Sequence, residues 1–281
     1  MSMDAIPIWV LFVGTILLVL ASIEAGHQLS RIARRRSECE KESAASAIAG
    51  SVLALLAFML AFTFGIVAER YDTRKELVRD DANTIRTTWH RCDFLPEPDR
   101  GEARGLLREY VNARLAVARS IQSGTMSEKA LTQARLESEI VQDRLWHMAV
   151  ANARKDMNSD VAALYIDSLN RVTEVHNSRL VVGLQQRISA GIWIVLCGLT
   201  FFGMAAVGYQ TGIVGSRRSL AQPILAVSFS MVIALIALLD RPLTGYLKVS
   251  QQPLIDLYNS MTSSDGGAKQ LTNQSARKTF P

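Results

Sequence analysis

The sequence predicts an all-α membrane protein with four transmembrane helices and a helical-bundle extramembrane domain between the second and third. Two observations predict it. Four stretches, each close to or above the roughly 18 residues that cross a hydrocarbon core, contain no Asp, Glu, Lys or Arg. The polar stretch between the second and third repeats its apolar residues at helical steps and shows no period-two alternation. Averages over the chain, 281 residues with 49% hydrophobic and 20% charged, hide this segregation. The segregated pattern excludes a soluble globule, and the residues outside the four stretches leave room for one modest extramembrane domain rather than a large catalytic one.

Four segments follow. A transmembrane hairpin over 1–68 has helices at about 6–23 and 44–68 joined by a basic loop; a helical bundle covers 69–187. A second hairpin over 188–240 has helices at about 188–214 and 220–239, and a tail over 241–281 is disordered from about 263, where Ser, Gly, Asn, Gln and Lys dominate. All four spans are helices because lipid offers no partner to an unpaired backbone amide. The leading segment, Met1 to Pro7, carries Asp4 and no Lys or Arg, unlike the basic start of a secretory signal, so the first span is expected to be a retained anchor.

Charge sets the orientation. Arg31, Arg34, Arg35, Arg36 and Lys41 lie between spans one and two, and Arg217 and Arg218 between spans three and four, which places both short loops in the cytoplasm. The N terminus, the bundle and the C terminus then face outward from the inner (plasma) membrane. Much of the net charge of +5 lies in these loops and the tail, so it speaks for orientation and against a nucleic-acid partner.

Within span two, Ala47, Gly50, Ala54, Ala57, Ala61 and Gly65 recur at steps of three and four, a small-residue face that lets another helix approach closely, within or between subunits. Gly208 and Gly212 repeat the pattern in span three. Ser51, Thr63, Thr200, Ser228 and Ser230 are the polar groups at depth, each either lining a hydrated path or bonding its own preceding turn.

In the bundle, Tyr71, Val78, Ala82, Ile85 and Trp89 form the apolar stripe of a helix that continues from span two and stops before Pro96. Asp99 with Glu102 reads as a capping box for a second helix, with Leu106, Tyr110, Ala113, Val117 and Ile121 on its face and Gly124 past its end. Thr125 with Glu128 opens a third helix. Asn158 or Ser159 caps a fourth, whose Val161, Tyr165, Leu169, Val172 and His176 lead without a breaker to Arg187 and span three.

No phosphate-cradling loop, metal-ligand spacing or nucleophile elbow is present, so neither a metal nor another cofactor is expected, and no enzyme. Cys39, Cys92 and Cys197 imply no intrachain disulfide framework; Cys92 is read as a half-buried helix cysteine or an intermolecular bridge. His90, His147 and His176 read as packed or surface histidines. Glu24 and His27, one helical step apart at the cytoplasmic end of span one, form a polar pair that either anchors the helix end or holds an ion. At the outer end of span two, Arg70, Arg74 and Asp81 fall within about 40° of one another around the helix, facing a neighbouring helix. Span four ends on the same side at Asp240 and Arg241, which predicts that Asp240 pairs with Arg70 or Arg74. With Asp72, these residues make a candidate charge network, structural or gating. Phe58, Phe62 and Thr63 in span two are candidate pore or constriction residues, with Phe64 beside them.

Ala57-Phe58 through Phe64, the run Glu69-Arg70-Tyr71-Asp72-Thr73-Arg74, the element Asp81-Ala82-Asn83-Thr84-Ile85, Arg91 with Leu95-Pro96, Tyr110 with Arg114, and Asp240-Arg241-Pro242-Leu243-Thr244-Gly245 together resemble the bacterial bestrophin-like membrane family. The resemblance covers nearly the whole chain apart from the tail. At Asp81 the family usually has Glu, so the carboxylate's reach here is one methylene shorter. The resemblance implies a multi-pass homo-oligomer in the lipid bilayer, with bestrophins as oligomeric anion channels behind the name, and so an ion as permeant. A channel or transport-related protein is therefore the first expectation, and a membrane-anchored sensor or scaffold acting through partner proteins is the second. An intramembrane enzyme would need ionisable groups inside the spans, and they hold none.

Overall fold

The computed structural model describes residues 7–35, 42–214, 221–241 and 248–263. Arg36, Cys39, Lys41, Arg217, Arg218, the Pro242 to Gly245 part of the motif and the tail from residue 264 lie outside the described residues. All regular structure among the described residues is helical: α1 (Ile8–Arg35), α2 (Glu42–Arg91), α3 (Asp99–Ser123), α4 (Glu128–Ala153), α5 (Asp160–Leu180), α6 (Ala190–Val214), α7 (Ala221–Asp240) and α8 (252–263). Four of them, over Ile8–Arg34, Ser43–Phe94, Ala190–Val214 and Gln222–Asp240, are long and apolar enough to cross a membrane.

The chain divides into two compact units, Met1–Tyr71 with Arg187–Leu247 and Asp72–Gln186 with Lys248–Pro281. Helix α2 supplies residues to both. No proline interrupts it from Glu42 to Arg91, and Gly50 and Gly65 are not enough to break it. It ends in a 3₁₀ turn, Cys92–Phe94, because Pro96 forces Leu95 into the extended region, φ −84° and ψ 144°.

In the first unit α1 packs on α6 and α7, and Val19, Ile23, Leu56, Leu60, Met204 and Ile236 form much of the core. The α1–α6 crossing is close because it is made of glycine. A Cβ on Gly26 would run into the Ala205 carbonyl and the Tyr209 nitrogen; one on Gly208 would run into the Ile23 carbonyl; one on Gly212 would meet Ser30 Oγ. The pattern Gly208-x-x-x-Gly212 thus serves a contact inside one chain. The span-two stripe does not: Ala47, Gly50, Ala54, Ala57, Ala61 and Gly65 are all exposed, while Ala45, Ala49, Leu56, Leu60, Thr63 and Val67 form the buried face of α2. Of the five polar groups at depth, Ser51, Thr63, Thr200 and Ser228 donate to the carbonyl four residues back, at 2.7 to 2.9 Å.

The second unit packs α3 to α5, α8 and the Asp72–Arg91 part of α2 around Ile85, Trp89, Leu107, Leu145, Tyr165 and Leu169. Cys92 is fully buried here, its thiol donating to the Thr88 carbonyl at 3.3 Å, a place where no intermolecular bridge reaches it. Three local features depart from the sequence reading. Asp99 and Glu102 form no capping box, because Pro98 is the N-cap residue; Asp99 instead accepts from Asn152 at 2.7 Å and Glu102 from Arg144 at 3.0 Å, joining α3 to α4. The cap of α4 is Ser127 rather than Thr125, accepting from a backbone amide three residues on, whereas α5 is capped in the same way by Ser159, one of the two residues expected there. The path from α5 to α6 is not continuous: α5 passes into a π-helical turn, Val181–Gln185, and Gln186 is extended at ψ 111°.

Helix α8 lies in the stretch read as a tail. Leu254, Leu257 and Met261 are at most 1% exposed and belong to the core. A helix this short is marginal alone, and burial worth about 1.5–3 kcal/mol per side chain is what holds it.

Candidate functional site

The candidate charges separate into two sites, one in each unit. In the first unit, Asp240 ends α7. Its Oδ1 accepts the backbone N–H of Ile188 at 3.0 Å and lies 3.7 Å from Arg70 Nη1, while Arg187 donates to its main-chain carbonyl. Arg241 beside it is buried. Asp240 thereby ties the end of α7 to α2 and to the start of the α6 segment. Because one oxygen serves both a charge and a backbone amide, exchanging Arg70 and Asp240 should restore only part of the stability that either single reversal costs. Thermal unfolding of the two reversals and the swap measures this, and full restoration would mean that the Ile188 bond contributes nothing.

The second site is a polar node inside the other unit. Asp81 on α2 is fully buried, and its Oδ2 accepts from Arg114 Nη2 at 2.9 Å and from Arg179 Nη1. The other guanidinium nitrogen of Arg179 donates to Gln251 Oε1 at 3.2 Å. Arg114 also donates to the Tyr110 hydroxyl at 3.3 Å and to His176 Nδ1; the Tyr110 hydroxyl is 2.9 Å from that same nitrogen and accepts from Gln142 Nε2 at 3.1 Å. Donors converge on Nδ1, so the imidazole proton is assigned to Nε2, which is buried without a hydrogen-bond partner among the described residues, as is Asp81 Oδ1. Elements α2, α3, α4, α5 and the chain leading into α8 all meet at this node.

Its charge is unbalanced, with two guanidiniums facing one carboxylate. Burial pushes His176 down to about 4, helped by Arg114 and Arg179 and opposed by Asp81 and Glu139. Burial also raises the Tyr110 phenol. Both groups are therefore neutral at physiological pH, Tyr110 accepting and passing on a hydrogen bond and His176 accepting at Nδ1. Unfolding frees His176 to take up a proton near its ordinary value of 6.5, so its share of stability is complete above that pH and is lost as pH falls towards about 4. Comparing thermal unfolding of the wild type and His176→Gln between pH 7 and about 4 should show a shallower acid decline in the variant. Parallel curves would sink the assignment.

The other candidates lie apart. Arg74, 8% exposed, reaches the Val182 carbonyl in the π turn at 3.5 Å, and Asp72 pairs with Lys75 at 3.1 Å on the surface. Thr63 is buried. Phe58 and Phe62 are 65% and 58% exposed, with rings stacked at 6.4 Å. His27 lies against Gly212 on α6, and Glu24 is half-buried one turn before it on α1. The sequence reading singled out Asp81 but not its partners as a site. The signal was the α5 stripe: Tyr165, Leu169, Val172 and His176 continue at helical spacing to Arg179, a charge on a core face.

The family model for the bestrophin-like domain matches residues 13–254. The chain belongs to the bestrophin-like family. The multi-pass, all-helical architecture is accordingly that of a membrane protein of the bestrophin type. Solved structures show the same fold. A bacterial bestrophin homologue from Klebsiella pneumoniae, crystallised as a point variant, aligns at a TM-score of 0.63 with 12% identity, over 91% of this chain and 99% of the other. A second variant of that homologue gives a TM-score of 0.57 at 13% identity, over 90% and 97%. A structure described as a membrane protein variant gives 0.58 at 13% identity, over 90% and 95%. No curated protein matches this bestrophin-like chain.

Proposed function

We propose that this protein is a homo-oligomeric ion channel, or a transport-related relative of one, in the inner membrane. The observation that carries the reading, beside family membership, is the uncovered face of α2. Only 22% of its most apolar window is buried within one chain. Its outward side is not the Leu and Ile surface that lipid favours throughout: Ala and Gly at close spacing run along it with Ser51, Phe58 and Phe62. Small residues let neighbouring backbones come together, and the two stacked Phe rings are the groups large enough to narrow a passage. Thr63 bonds its own preceding turn and supports the helix rather than the passage.

The basic residues near the short loops favour an orientation with the N terminus, the 69–187 region and the C terminus outside. A Lys129→Cys label on intact cells, with Cys39 and the exposed Cys197 replaced by Ser, tests it, since Lys129 is exposed and the native Cys92 is buried. Labelling only after lysis inverts the orientation.

Purified protein in liposomes, with ion flux read beside oligomeric mass, tests the function. A multimer with flux that rises in Phe58→Ala or Phe62→Ala is the expected result. A monomer without flux leaves the sensor or scaffold as the reading to pursue.

A further inference from the structure

Within the Asp72–Gln186 and Lys248–Pro281 unit, a cavity of about 240 Å³ lies between α3 and the chain leading into α8. Leu115, Ala118 and Ile255 give its apolar lining, and Arg119, Gln122, Ser250, Gln251 and Gln252 its polar lining. No carboxylate is among these residues. Asp256, one turn into α8, accepts from the amide of Gln252 at 2.8 Å and stands outside the lining. Lys248, outside the lining, donates to the Gln122 carbonyl.

Behind Gln251 lies the buried node. Gln251 Oε1 accepts from Arg179, and Arg179 and Arg114 share one carboxylate, Asp81. The next acidic group to act on the node, Glu139, is half-exposed and paired with Arg135 at 2.8 Å. An excess positive charge in low dielectric is poorly screened and projects into the adjoining space. Arg119 adds a second cation at the cavity itself, with no ion pair among the described residues. Ser250 Oγ accepts from the Gln252 amide at 3.3 Å, which leaves its O–H free to donate.

We propose that this cavity binds a small oxyanion, a carboxylate or a phosphate, held by the Arg119 guanidinium with donors from Gln122 and Ser250 and drawn by the excess positive charge that Arg114 and Arg179 keep over Asp81 behind Gln251. The volume holds a ligand of a few heavy atoms; it falls below the roughly 300 Å³ at which drug-sized sites begin. Because α3 and residues 250–252 both line the cavity, an occupant fastens the start of α8 to the bundle.

The test is thermal unfolding of the full chain in detergent as sodium acetate or sodium phosphate replaces sodium chloride at fixed ionic strength. A saturable rise in melting temperature is expected, and which of the two salts produces it distinguishes a carboxylate from a phosphate. Arg119→Ala, at an exposed position, should weaken the apparent affinity by about tenfold or more, the loss of one charge-assisted hydrogen bond. Gln251→Glu supplies a negative charge to Arg179 within the chain, so it should raise the ligand-free melting temperature and remove the response. No saturable rise, or a rise that persists unchanged in Arg119→Ala as general salting would, overturns the proposal. The readout is binding, so it stands whether or not the protein conducts.

Discussion

Replacing Asp81 by Asn should destabilise the bundle unit by about 3–5 kcal/mol, the cost of leaving buried charge without its partner. The carboxylate is fully buried and one of its oxygens accepts from both Arg114 and Arg179. A carboxamide has nearly the same shape but no charge, so it leaves two guanidiniums facing each other in low dielectric. Removing one cation should do far less. Arg179→Met keeps the one-to-one pair of Asp81 with Arg114 and gives up the bond to Gln251, worth about 1–2 kcal/mol. The order of the two variants is therefore the sharper expectation. Native-state hydrogen exchange of α3 and α5 amides reads it within the unit concerned: Asp81→Asn should speed exchange by about two to three orders of magnitude and Arg179→Met by about one. If Arg179→Met proves as damaging as Asp81→Asn, charge balance is not what the node contributes.

How much of this was legible follows from what each feature depends on. Spans and helices rest on local composition and period, so α1, α2, α6 and α7, and the breaks at Pro96 and Gly124, can be read directly. The capping box at Asp99 failed because the same residue types also make long-range pairs, and Asn152 and Arg144 on α4 compete for Asp99 and Glu102. Helix α8 was hidden because its three core residues are too few to outweigh the polar Ser, Gly and Asn that follow them. The Asp81 node was half legible. A carboxylate on an apolar stripe signals a buried partner, but which Arg among so many answers it is decided by tertiary packing of α3 and α5, which no spacing within α2 encodes. Gln251, far along the chain, carries no local mark at all.

The glycines divide into those that hold this chain together and those that do not. A methyl group on Gly208 would collide with the main chain of Ile23, and one on Gly26 with the main chain of Ala205 and Tyr209. No rotamer change relieves either clash. Helices α1 and α6 must separate along their contact, and in lipid that contact is held by close packing rather than by a hydrophobic drive. Gly26→Ala and Gly208→Ala should each cost about 1–3 kcal/mol or more. Gly212→Ala meets side-chain rather than main-chain atoms, Ser30 Oγ, which can turn away, and Ser30 Cβ at 2.8 Å, from which the helix must yield slightly, so it should cost less. Gly50→Ala and Gly65→Ala meet nothing among the described residues of one chain and gain up to about 1 kcal/mol of helix propensity, so the isolated protomer should be unharmed. Thermal unfolding of all five in detergent gives the order. If α2 assembles the oligomer, Gly50→Leu and Gly65→Leu should keep the protomer's melting temperature yet lower the oligomeric mass. A Gly208→Ala protein that melts with the wild type would remove the α1–α6 crossing from the account of stability, and an unchanged oligomer in both leucine variants would turn the small-residue face of α2 back towards lipid.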